Sequence, residues 1–399
     1  MHLLQIWKKS NIFAFVLIIG FILFACNGEK PEDDPIDIEN LPSLRTDVIV
    51  PGHTSPKSFN NITAAELVAQ IKIGWNLGNS LDAHDSQQGW LSGTISGMET
   101  AWGNPVTTKA NIDAIKNAGF NTIRIPVTWY KALDDNFIIR EDWLARVTQI
   151  VNWAEENDMF ILLNTHHDEY IFKFTNSSVN NSLIVFERVW EQIATQFRNY
   201  DEKLVFEGLN EPRTKGAEHE WQGGNATERG NLNRHYQVFT DAVRRSGGNN
   251  DKRILMVNTY GASADSNAMN GLVIPVDTVP NKIIVSIHAY TPFYFAHENP
   301  GDSAWYSNRS QITDIMNRSH SSFVSKGIPV IIGEFGARRE KNGPIRDAWA
   351  EFYVQSARDK NIPCVLWDDG GNFRLLVRSN NTFDSDSYLN AMMVGAGVR

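Results

Sequence analysis

The chain has 399 residues, of which 42% are hydrophobic and 21% are charged, and its formal net charge is −9. These fractions are ordinary for a folded globular protein and exclude a wholly disordered chain. The negative balance argues against nucleic acid as a partner, because phosphate binding needs clustered Lys and Arg. The two cysteines, Cys26 and Cys364, are too few for a disulfide framework or a cysteine-rich zinc module.

Residues 1–25 are predicted to be an export signal rather than part of the fold. Lys8 and Lys9 precede an apolar run over residues 12–25, which is short for a membrane-spanning helix of about 20 apolar residues. The run ends in Leu23-Phe24-Ala25-Cys26, which resembles the lipobox of bacterial lipoproteins. That resemblance implies cleavage before Cys26 and lipidation of its thiol. An uncleaved anchor helix is the alternative.

Residues 26–58 are predicted to form an acidic tether. Between residues 27 and 56 there are five prolines and seven acidic residues, a composition that buries little and stays extended. The acidic residues soon after Cys26 resemble the surface-export signal of bacterial lipoproteins, with a plain solvated linker as the alternative. They are Glu29, Glu32, Asp33 and Asp34. We therefore expect an exported protein, lipid-anchored to the cell envelope at the outer membrane, with exposure at the cell surface left open.

From about residue 59, short apolar runs alternate with amphipathic segments. Trp143, Val147, Ile150 and Ala154, for example, recur at the spacing of one buried helix face. The predicted strands cover residues 71–77, 122–127, 160–164, 204–207, 253–257, 283–287, 329–333 and 364–366. The predicted helices cover residues 107–118, 141–157, 183–200, 231–246, 312–326, 344–360 and 385–396. No clear helix is predicted between the fifth and sixth strands.

Eight nearly continuous apolar strands with helices between them predict an α/β fold, a closed parallel (β/α)8 TIM barrel. We expect it to form a single domain over residues 59–399. An open doubly wound sheet is the alternative. It is disfavoured because no Gly-rich fingerprint follows an early strand and no P-loop is present. Cys364, inside the last strand, is expected to be an inert buried thiol.

The chemistry of such a barrel lies at the carboxyl ends of its strands. Glu211 follows the fourth predicted strand and Glu334 the seventh, so both side chains are expected to project into one cleft from roughly opposing sides. Two carboxyl groups flanking a bond are what acetal hydrolysis needs: one is the general acid, and the other meets the oxocarbenium-like carbon. The alternative is two unrelated salt bridges at strand ends.

The neighbours of Glu334 strengthen this interpretation. Arg124, at the end of the second strand, would keep the Glu334 carboxylate ionised, and Tyr290 can donate a hydrogen bond to it. Arg124 could equally be a buried structural arginine.

The neighbours of Glu211 point the same way. Pro212 biases Glu211 toward extended backbone, and Asn210 offers an amide for a sugar hydroxyl. His288 is expected near the acid, with a hydrogen-bonded core histidine as its alternative interpretation.

Seven sequence blocks lie at the predicted strand ends. They are Gly74-Trp75-Asn76-Leu77-Gly78-Asn79-Ser80-Leu81-Asp82-Ala83, Arg124-Ile125-Pro126-Val127, His166-His167, Leu209-Asn210-Glu211-Pro212, His288-Ala289-Tyr290, Gly333-Glu334-Phe335-Gly336 and Trp367-Asp368-Asp369-Gly370. Together these blocks resemble glycoside hydrolase family 5, of clan A. The resemblance runs from about residue 65 to 395 and is closest to the endoglucanase branch, whose members also act on xyloglucan and mixed-linkage glucan. Asp368 stands where a second tryptophan is often found in that family.

The resemblance implies hydrolysis with retention, with Glu211 as acid/base and Glu334 as nucleophile. The residues that it implies around the reacting sugar are Arg124, His166, Asn210, His288, Tyr290 and Trp367. Further candidates for substrate binding are Asn79, His84, Trp129 and His167, and for stacking on sugars Trp90, Trp102, Trp221 and Trp305, with packing in loops as the alternative. We expect no cofactor, a monomer, a β-glucan polysaccharide substrate and a lipid anchor in the membrane.

The run His166-His167-Asp168-Glu169 has a rival interpretation as a metal site. Metal-dependent hydrolase barrels have a different sequence pattern, with paired histidines after the first strand. This chain has Asn76 and Asn79 there. Ligation also needs several convergent ligands, so no metal is expected.

The sequence therefore predicts a retaining, surface-anchored endo-β-1,4-glucanase (a cellulase) that cleaves cellulose-like glucans. The same chemistry on xyloglucan, mixed-linkage glucan or mannan is the nearer alternative. A non-catalytic glycan-binding lipoprotein is the other, but it would have lost a carboxylate, and both Glu211 and Glu334 are present.

Overall fold

A barrel of parallel strands organises the molecule. The computed structural model describes residues 34–84, 93–298, 305–341 and 343–399. In these ranges, eight strands pair in chain order and the eighth pairs with the first, which confirms the predicted (β/α)8 barrel. The strands are β1 (Gly74–Asn76), β2 (Thr122–Ile125), β3 (Phe160–Asn164), β4 (Leu204–Glu207), β5 (Leu255–Asn258), β6 (Ile283–His288), β7 (Val330–Phe335) and β8 (Cys364–Leu366), followed by a hairpin of β9 (Leu376–Val377) and β10 (Thr382–Phe383).

Helices alternate with the strands along the chain. The start and end of α3 show how the sequence sets such a helix: Thr108 and Asn111 cap its start reciprocally, and Gly119 ends it with φ of 113°. The helices of the described ranges are α1 (Ala64–Val68), α2 (Ile95–Glu99), α3 (Lys109–Ala118), α4 (Glu141–Glu156), α5 (Val179–Phe197), α6 (Ala226–Arg245), α7 (Ser266–Gly271), α8 (Phe293–Ala296), α9 (Ser310–Ser322), α10 (Pro344–Arg358) and α11 (Asp386–Gly395).

The inside of the barrel is packed with apolar side chains rather than open. These belong to α1, which closes the amino-terminal end, and to the strands; the set includes Leu67, Val68, Leu162, Val205, Met256, Ile284, Ile331 and Val365. A larger apolar cluster lies between the strands and the surrounding helices. Because both faces of each strand are buried, polar side chains are accommodated mainly where the strands end.

The structure differs from the predicted elements mainly at their ends and in short helices. β1 is shorter than predicted, and α6 begins five residues earlier because Asn225 caps it. The short helices α1, α2, α7 and α8 and the β9–β10 hairpin were not predicted. The segment between the fifth and sixth strands contains α7, which has six residues. Such short elements carry too little periodicity to be found in a sequence.

Residues 34–58, which were predicted to be part of a free tether, lie against α4 and α5. Asn181 exchanges hydrogen bonds with the backbone of residues 34 and 36, at 2.7 and 3.1 Å. Gln196 does the same with Ile49, at 3.0 and 2.9 Å. Gly52 is buried against Gln196, where a Cβ atom would meet the side-chain amide at 2.5 Å. This part of the predicted tether is therefore fastened to the barrel by side chains that satisfy its backbone.

The predicted signal peptide (1–25), Cys26 and the acidic residues up to Asp33 lie outside the described residues, as does Trp90. Among the helices that the structure describes, none combines the length and apolar character needed to cross a membrane.

Candidate active site

A layer of polar side chains crosses the barrel where the strands end. Adjacent strands place these side chains side by side: Asn76 pairs in register with Arg124, and Asn164 with Glu207. All of them are buried, so each needs hydrogen-bond partners from the protein. The members are Asn76, Arg124, Asn164, Glu207, Asn258, His288 and Glu334.

An irregularity between β6 and β7 brings His288 level with Glu334. The two strands run in register up to Ile287 and Ile332, and one additional residue, Gly333, then precedes Glu334. A Cβ atom at Gly333 would lie 2.6 Å from Ser286 Oγ and 3.1 Å from His288 Nε2. Glycine is therefore needed here, because the backbone of β7 passes close against the side chains of β6.

Two donors fix the carboxyl group of Glu334. Arg124 Nη1 donates to Oε1 at 2.8 Å, and the Tyr290 hydroxyl donates to Oε2 at 2.8 Å. Burial and the nearby Glu334 charge raise the pKa of Tyr290 well above its usual value, so this hydroxyl keeps its proton. Arg124 stays charged: burial lowers its pKa, but the carboxylates of Glu207 and Glu334 more than offset this.

Arg124 is held by more than Glu334. Its Nε donates to Glu207 at 2.6 Å, Nη1 to Asn76 at 2.9 Å and Nη2 to Asn210 Oδ1 at 2.7 Å. Because the amide oxygen of Asn210 accepts a hydrogen bond from Arg124, the NH2 group of Asn210 faces away from the arginine. Glu207 was not among the predicted site residues, although an acid at the end of the apolar run Leu-Val-Phe-Glu signals a buried charge that needs a partner.

Glu211 has different neighbours. Its Oε1 lies 3.0 Å from His288 Nδ1, and its Oε2 lies 3.5 Å from Arg213 Nη1. Burial raises the pKa of Glu211, but the hydrogen bond and charge of His288 and the charge of Arg213 outweigh it, so the pKa is below its usual value. His288 Nδ1 is also 3.6 Å from Glu334 Oε2. A nitrogen facing two carboxyl groups is expected to carry a proton.

The two carboxyl groups are close to each other. One oxygen of Glu211, one oxygen of Glu334 and a nitrogen of His288 all lie within 4.8 Å of one another. A single atom of a substrate placed between the two carboxyl groups would therefore be within reach of both.

His166 and Trp367 form the adjoining wall. The His166 Nδ1 atom is 3.1 Å from the Asn164 amide nitrogen, which donates to it, so the proton of the ring resides on Nε2, 4.0 Å from Glu334. Burial, with the charges of His167 and Arg124, lowers the pKa of His166 well below its usual value, and the ring is neutral. Trp367 stacks parallel to His166 with centroids 5.7 Å apart, and it is half-buried.

Asp368 does not form a wall of the cleft. It stands where the family that the sequence resembles often has a tryptophan. Its carboxylate accepts hydrogen bonds from Trp75 Nε1 at 2.9 Å and from the backbone of Leu375 and Leu376 at 3.0 and 2.8 Å. The side chain is fully buried, and it anchors the loop that leads into the β9–β10 hairpin.

Trp129, predicted to bind substrate, is instead part of the core. It is 0% exposed, and its indole nitrogen donates to the carbonyl of Asn164 at 2.9 Å. The prediction is wrong because the chain after β2 turns inward there: the backbone N–H groups of Trp129 and Tyr130 both bind the buried carboxylate of Asp168, at 2.8 Å. Trp305 is likewise buried.

His84 and His167 lie in an aromatic cluster beside His166. His84 is 5.0 Å from the ring of Trp102 and 5.1 Å from that of His167. Trp102 is 38% exposed, and Tyr170, which the sequence did not single out, is 44% exposed. Asn79 holds a left-handed backbone with φ of 55°, and its N–H donates to Asp82 at 2.9 Å.

Among the residues that the structure describes, two groups of side chains have the composition of a metal site. They are Asp82, His166 and His167, and Glu211, His288 and Glu334. In the first, Asp82 accepts backbone hydrogen bonds from Asn79 and Ser80 at 2.9 and 2.7 Å. In the second, Arg124 and Tyr290 donate hydrogen bonds to the carboxyl group of Glu334. Hydrogen bonds within the chain therefore engage both sets.

Comparison with known proteins identifies the family. A family model described as Cellulase (glycosyl hydrolase family 5) matches residues 82–372. The chain belongs to glycosyl hydrolase family 5. The matched range contains both Glu211 and Glu334 and the strand ends from β2 to β8.

Individual proteins resemble much of the chain. Endoglucanase A of Clostridium longisporum is 41% identical over 336 residues, which are 81% of this chain and 64% of that protein. Cellulase/esterase CelE of Acetivibrio thermocellus is 39% identical over 353 residues, 86% of this chain and 42% of that protein. This chain thus spans less than two-thirds of the length of these two curated relatives.

A solved family 5 structure aligns over its full length. It is a broad specificity endoglucanase from Ruminococcus champanellensis with bound cellotriose, 43% identical, with a TM-score of 0.82. The alignment covers 84% of this chain and 100% of that one.

Of the residues that the family 5 resemblance implied, the structure brings Arg124, His166, Asn210, His288 and Tyr290 together around Glu211 and Glu334, with Trp367 alongside. Trp129 lies outside this group. Glu207, Arg213 and Tyr170 join the site or its walls without having been predicted.

Proposed function

We propose that this protein is a retaining endo-β-1,4-glucanase that hydrolyses internal bonds of β-glucans by double displacement. The observation that carries this proposal is the close approach of the Glu211 and Glu334 carboxyl groups, of which one oxygen each lies within 4.8 Å of the other. Retaining enzymes hold the two groups about 5–5.5 Å apart, whereas inverting enzymes leave roughly 6.5–9.5 Å for a water molecule. Similar proteins named endoglucanase, one of them holding cellotriose, support the substrate class.

In the first step, Glu334 attacks the anomeric carbon and Glu211 gives a proton to the leaving oxygen. Arg124 and Tyr290 fix the two oxygens of Glu334, so that the nucleophile is aimed before the sugar arrives. Glu211 must enter this step protonated. Because His288 and Arg213 favour its carboxylate, we expect the rate of this step to decline as the pH rises.

In the second step, Glu211 takes a proton from water, which attacks the glycosyl–Glu334 ester and releases the sugar with its original configuration. Esterification removes the negative charge of Glu334. Loss of a nearby like charge makes the carboxylate form of Glu211 easier to reach, so the same residue becomes a base when a base is needed.

The stereochemistry of the first product tests the proposal. Proton NMR during hydrolysis of cellopentaose should show the β-anomer of the new reducing end before mutarotation. If the α-anomer appears first, the reaction inverts, and the assignment of Glu334 as nucleophile is wrong.

Activity on more than one glucan backbone is the second candidate function. It is favoured by the similarity to an endoglucanase described as having broad specificity. Initial rates on carboxymethylcellulose, mixed-linkage glucan, xyloglucan, mannan and xylan would rank the substrates. A rate on xyloglucan or mannan far above that on cellulose derivatives would replace the cellulase assignment.

We also propose that the protein is exported and lipid-anchored to the cell envelope through Cys26. This rests on the sequence of residues 1–26. Cys26→Ala should release the protein from membranes while leaving its activity in lysate intact. A wild-type protein that takes up no fatty-acid label would contradict the anchor.

A further inference from the structure

Arg213 follows the turn that carries Glu211 and contacts it twice. Its Nη1 donates to the backbone carbonyl of Glu211 at 2.8 Å and lies 3.5 Å from Glu211 Oε2. His288 contacts the other carboxyl oxygen, Oε1, at 3.0 Å. The carboxyl group of Glu211 therefore sits between a histidine and an arginine, each facing one of its oxygens.

Other groups fix the guanidinium of Arg213. Its Nε donates to Glu220 at 2.9 Å, and its Nη1 lies 3.5 Å from Glu169. The indole of Trp221 covers it, with the ring centroid 4.2 Å from Cζ. Arg213 is nearly buried, whereas Trp221 is 56% exposed and shields it from solvent.

The two acids that flank Arg213 have roles of their own in holding the loop. The second oxygen of Glu220 accepts the N–H of Gly216 at 2.7 Å. Glu169 is also 3.2 Å from Lys215 and 3.7 Å from His167. Burial raises the pKa of Glu169, but His167, Lys215 and Arg213 lower it to about 2, so this carboxylate stays ionised.

We propose that Arg213 is a positioning residue for Glu211: it aims the carboxyl group for proton transfer, and Glu220 and Glu169 limit how strongly its charge favours the ionised form. This inference rests on the proposed role of Glu211 as acid/base. Arg213 has three carboxylates within 3.5 Å, so Glu211 shares the guanidinium with two others. Its effect on Glu211 is therefore adjustable through residues that do not touch Glu211.

Charged groups face Glu211 from several elements. His288 comes from β6, Glu334 from β7, His167 from the loop after β3, and Arg213 from the loop after β4. Tyr290, after β6, lies close enough to feel the charge of Glu211. Substitutions at Arg213 and Glu220 leave the other groups in place, so the two changes isolate the contribution of the arginine.

The test compares Arg213→Gln, Arg213→Lys and Glu220→Gln by the pH dependence of kcat/KM on cellopentaose. At high pH, kcat/KM falls as Glu211 loses its proton, which gives the pH profile a descending limb. Removal of the Arg213 charge should move this limb to higher pH by about one unit or more, because an adjacent arginine lowers a carboxyl pKa by about 1–3 units. Glu220→Gln should move it to lower pH, because Arg213 then loses a competing acid. Arg213→Lys should keep the limb near its wild-type position while slowing hydrolysis, since an ammonium group lacks the fork that holds the Glu211 carbonyl.

Arg318→Gln is the matched control. Arg318, on α9, also donates to a backbone carbonyl, that of Ala264 at 2.7 Å, and lies 3.9 Å from the carboxylate of Asp265. The pH profile of Arg318→Gln should match that of the wild type. Melting temperatures of all four variants would show whether a rate change reflects unfolding. If Arg213→Gln does not fold, the opposite shift expected of Glu220→Gln still tests the proposal.

A second substrate separates failure of this inference from failure of the proposed function. Hydrolysis of dinitrophenyl β-cellobioside needs little acid assistance, so its kcat/KM should lack the descending limb in the wild type and in all variants. If the wild type shows the same limb on both substrates, Glu211 is not the acid. If the wild type behaves as expected but neither Arg213→Gln nor Glu220→Gln moves the limb, or both move it in the same direction, the role of Arg213 is overturned.

Discussion

One carboxyl oxygen of Glu334 lies within 4.8 Å of one carboxyl oxygen of Glu211, but the surroundings of the two groups differ in kind. Glu334 is held by Arg124, whose guanidinium is fully buried, and by a tyrosine that keeps its proton. Glu211 is more exposed, and its carboxyl oxygens face His288 and Arg213. A nucleophile needs a constant charge, whereas an acid/base must change its protonation state during each cycle. The comparison shows how one pair of identical side chains is given two roles by its neighbours.

The largest effect is expected at the fixed carboxylate. Glu334→Gln removes the nucleophile, and turnover should fall roughly 10⁵-fold on every substrate, because no other group can form the covalent intermediate. Binding of cellotetraose, measured by calorimetry, should survive. The control is Glu340→Gln, an exposed acid after the same strand that pairs with Arg338 and should leave the rate unchanged. Loss of binding together with turnover would indicate a structural rather than a chemical role.

Glu211→Ala should have a smaller effect that depends on the substrate. Hydrolysis of cellopentaose should slow by about 10³-fold, the usual contribution of a general acid. With dinitrophenyl β-cellobioside, the first step should proceed and the intermediate should accumulate on Glu334. Added azide should then restore turnover and yield a β-glycosyl azide.

Glu218→Ala, in the same loop and exposed, is the control for Glu211→Ala. If Glu211→Ala loses the same fraction of its rate on both substrates, or yields an α-glycosyl azide, the assignment of Glu211 as acid/base and Glu334 as nucleophile is contradicted.

Glu207→Gln tests whether the network under Arg124 is what fixes Glu334. Both partners of this ion pair are fully buried, and removal of one charge should lower the free energy of unfolding by about 3 kcal/mol. We expect kcat to fall roughly 10–100-fold as well, the scale of losses when a supporting contact of a functional group is removed. Chemical denaturation and steady-state rates would measure the two effects.

The exposed pair of Glu187 with Arg245 offers the control for the ion-pair prediction, and Glu187→Gln should change stability by less than about 1 kcal/mol. An unchanged stability in Glu207→Gln would mean that Arg124 is held by its amide partners instead.

The smallest rate effect is expected at the aromatic walls, where Trp102 and Trp129 should differ. Trp102→Ala should raise KM about tenfold with little change in stability, because an exposed ring that stacks on a sugar contributes about 1–2 kcal/mol of binding. Trp129→Ala should instead lower the free energy of unfolding by about 3–5 kcal/mol, the cost of removing a buried aromatic side chain. If Trp129→Ala instead raises KM and leaves the free energy of unfolding unchanged, Trp129 binds substrate after all.

The sequence by itself determined the barrel and the position of its two carboxyl groups. Alternation of apolar runs with helical periodicity is a local property, and it predicted the eight strands with errors of only a few residues at their ends. Once a barrel is recognised, its topology brings all the strand ends to one face, so Glu211 and Glu334 could be placed in one cleft without coordinates. The supporting residues Arg124, His288 and Tyr290 followed from the same rule.

The tertiary structure alone decided what surrounds each group, because this depends on contacts between residues far apart in the chain. Trp129 and Trp102 look alike in the sequence, but the first is drawn inward by Asp168, 39 residues away, and the second remains at the surface. Glu207 is tied to Arg124 across 83 residues, and residues 34–58 are fastened to α5 across about 147. Periodicity reports which face of an element is buried, and it carries no information on which partner lies there.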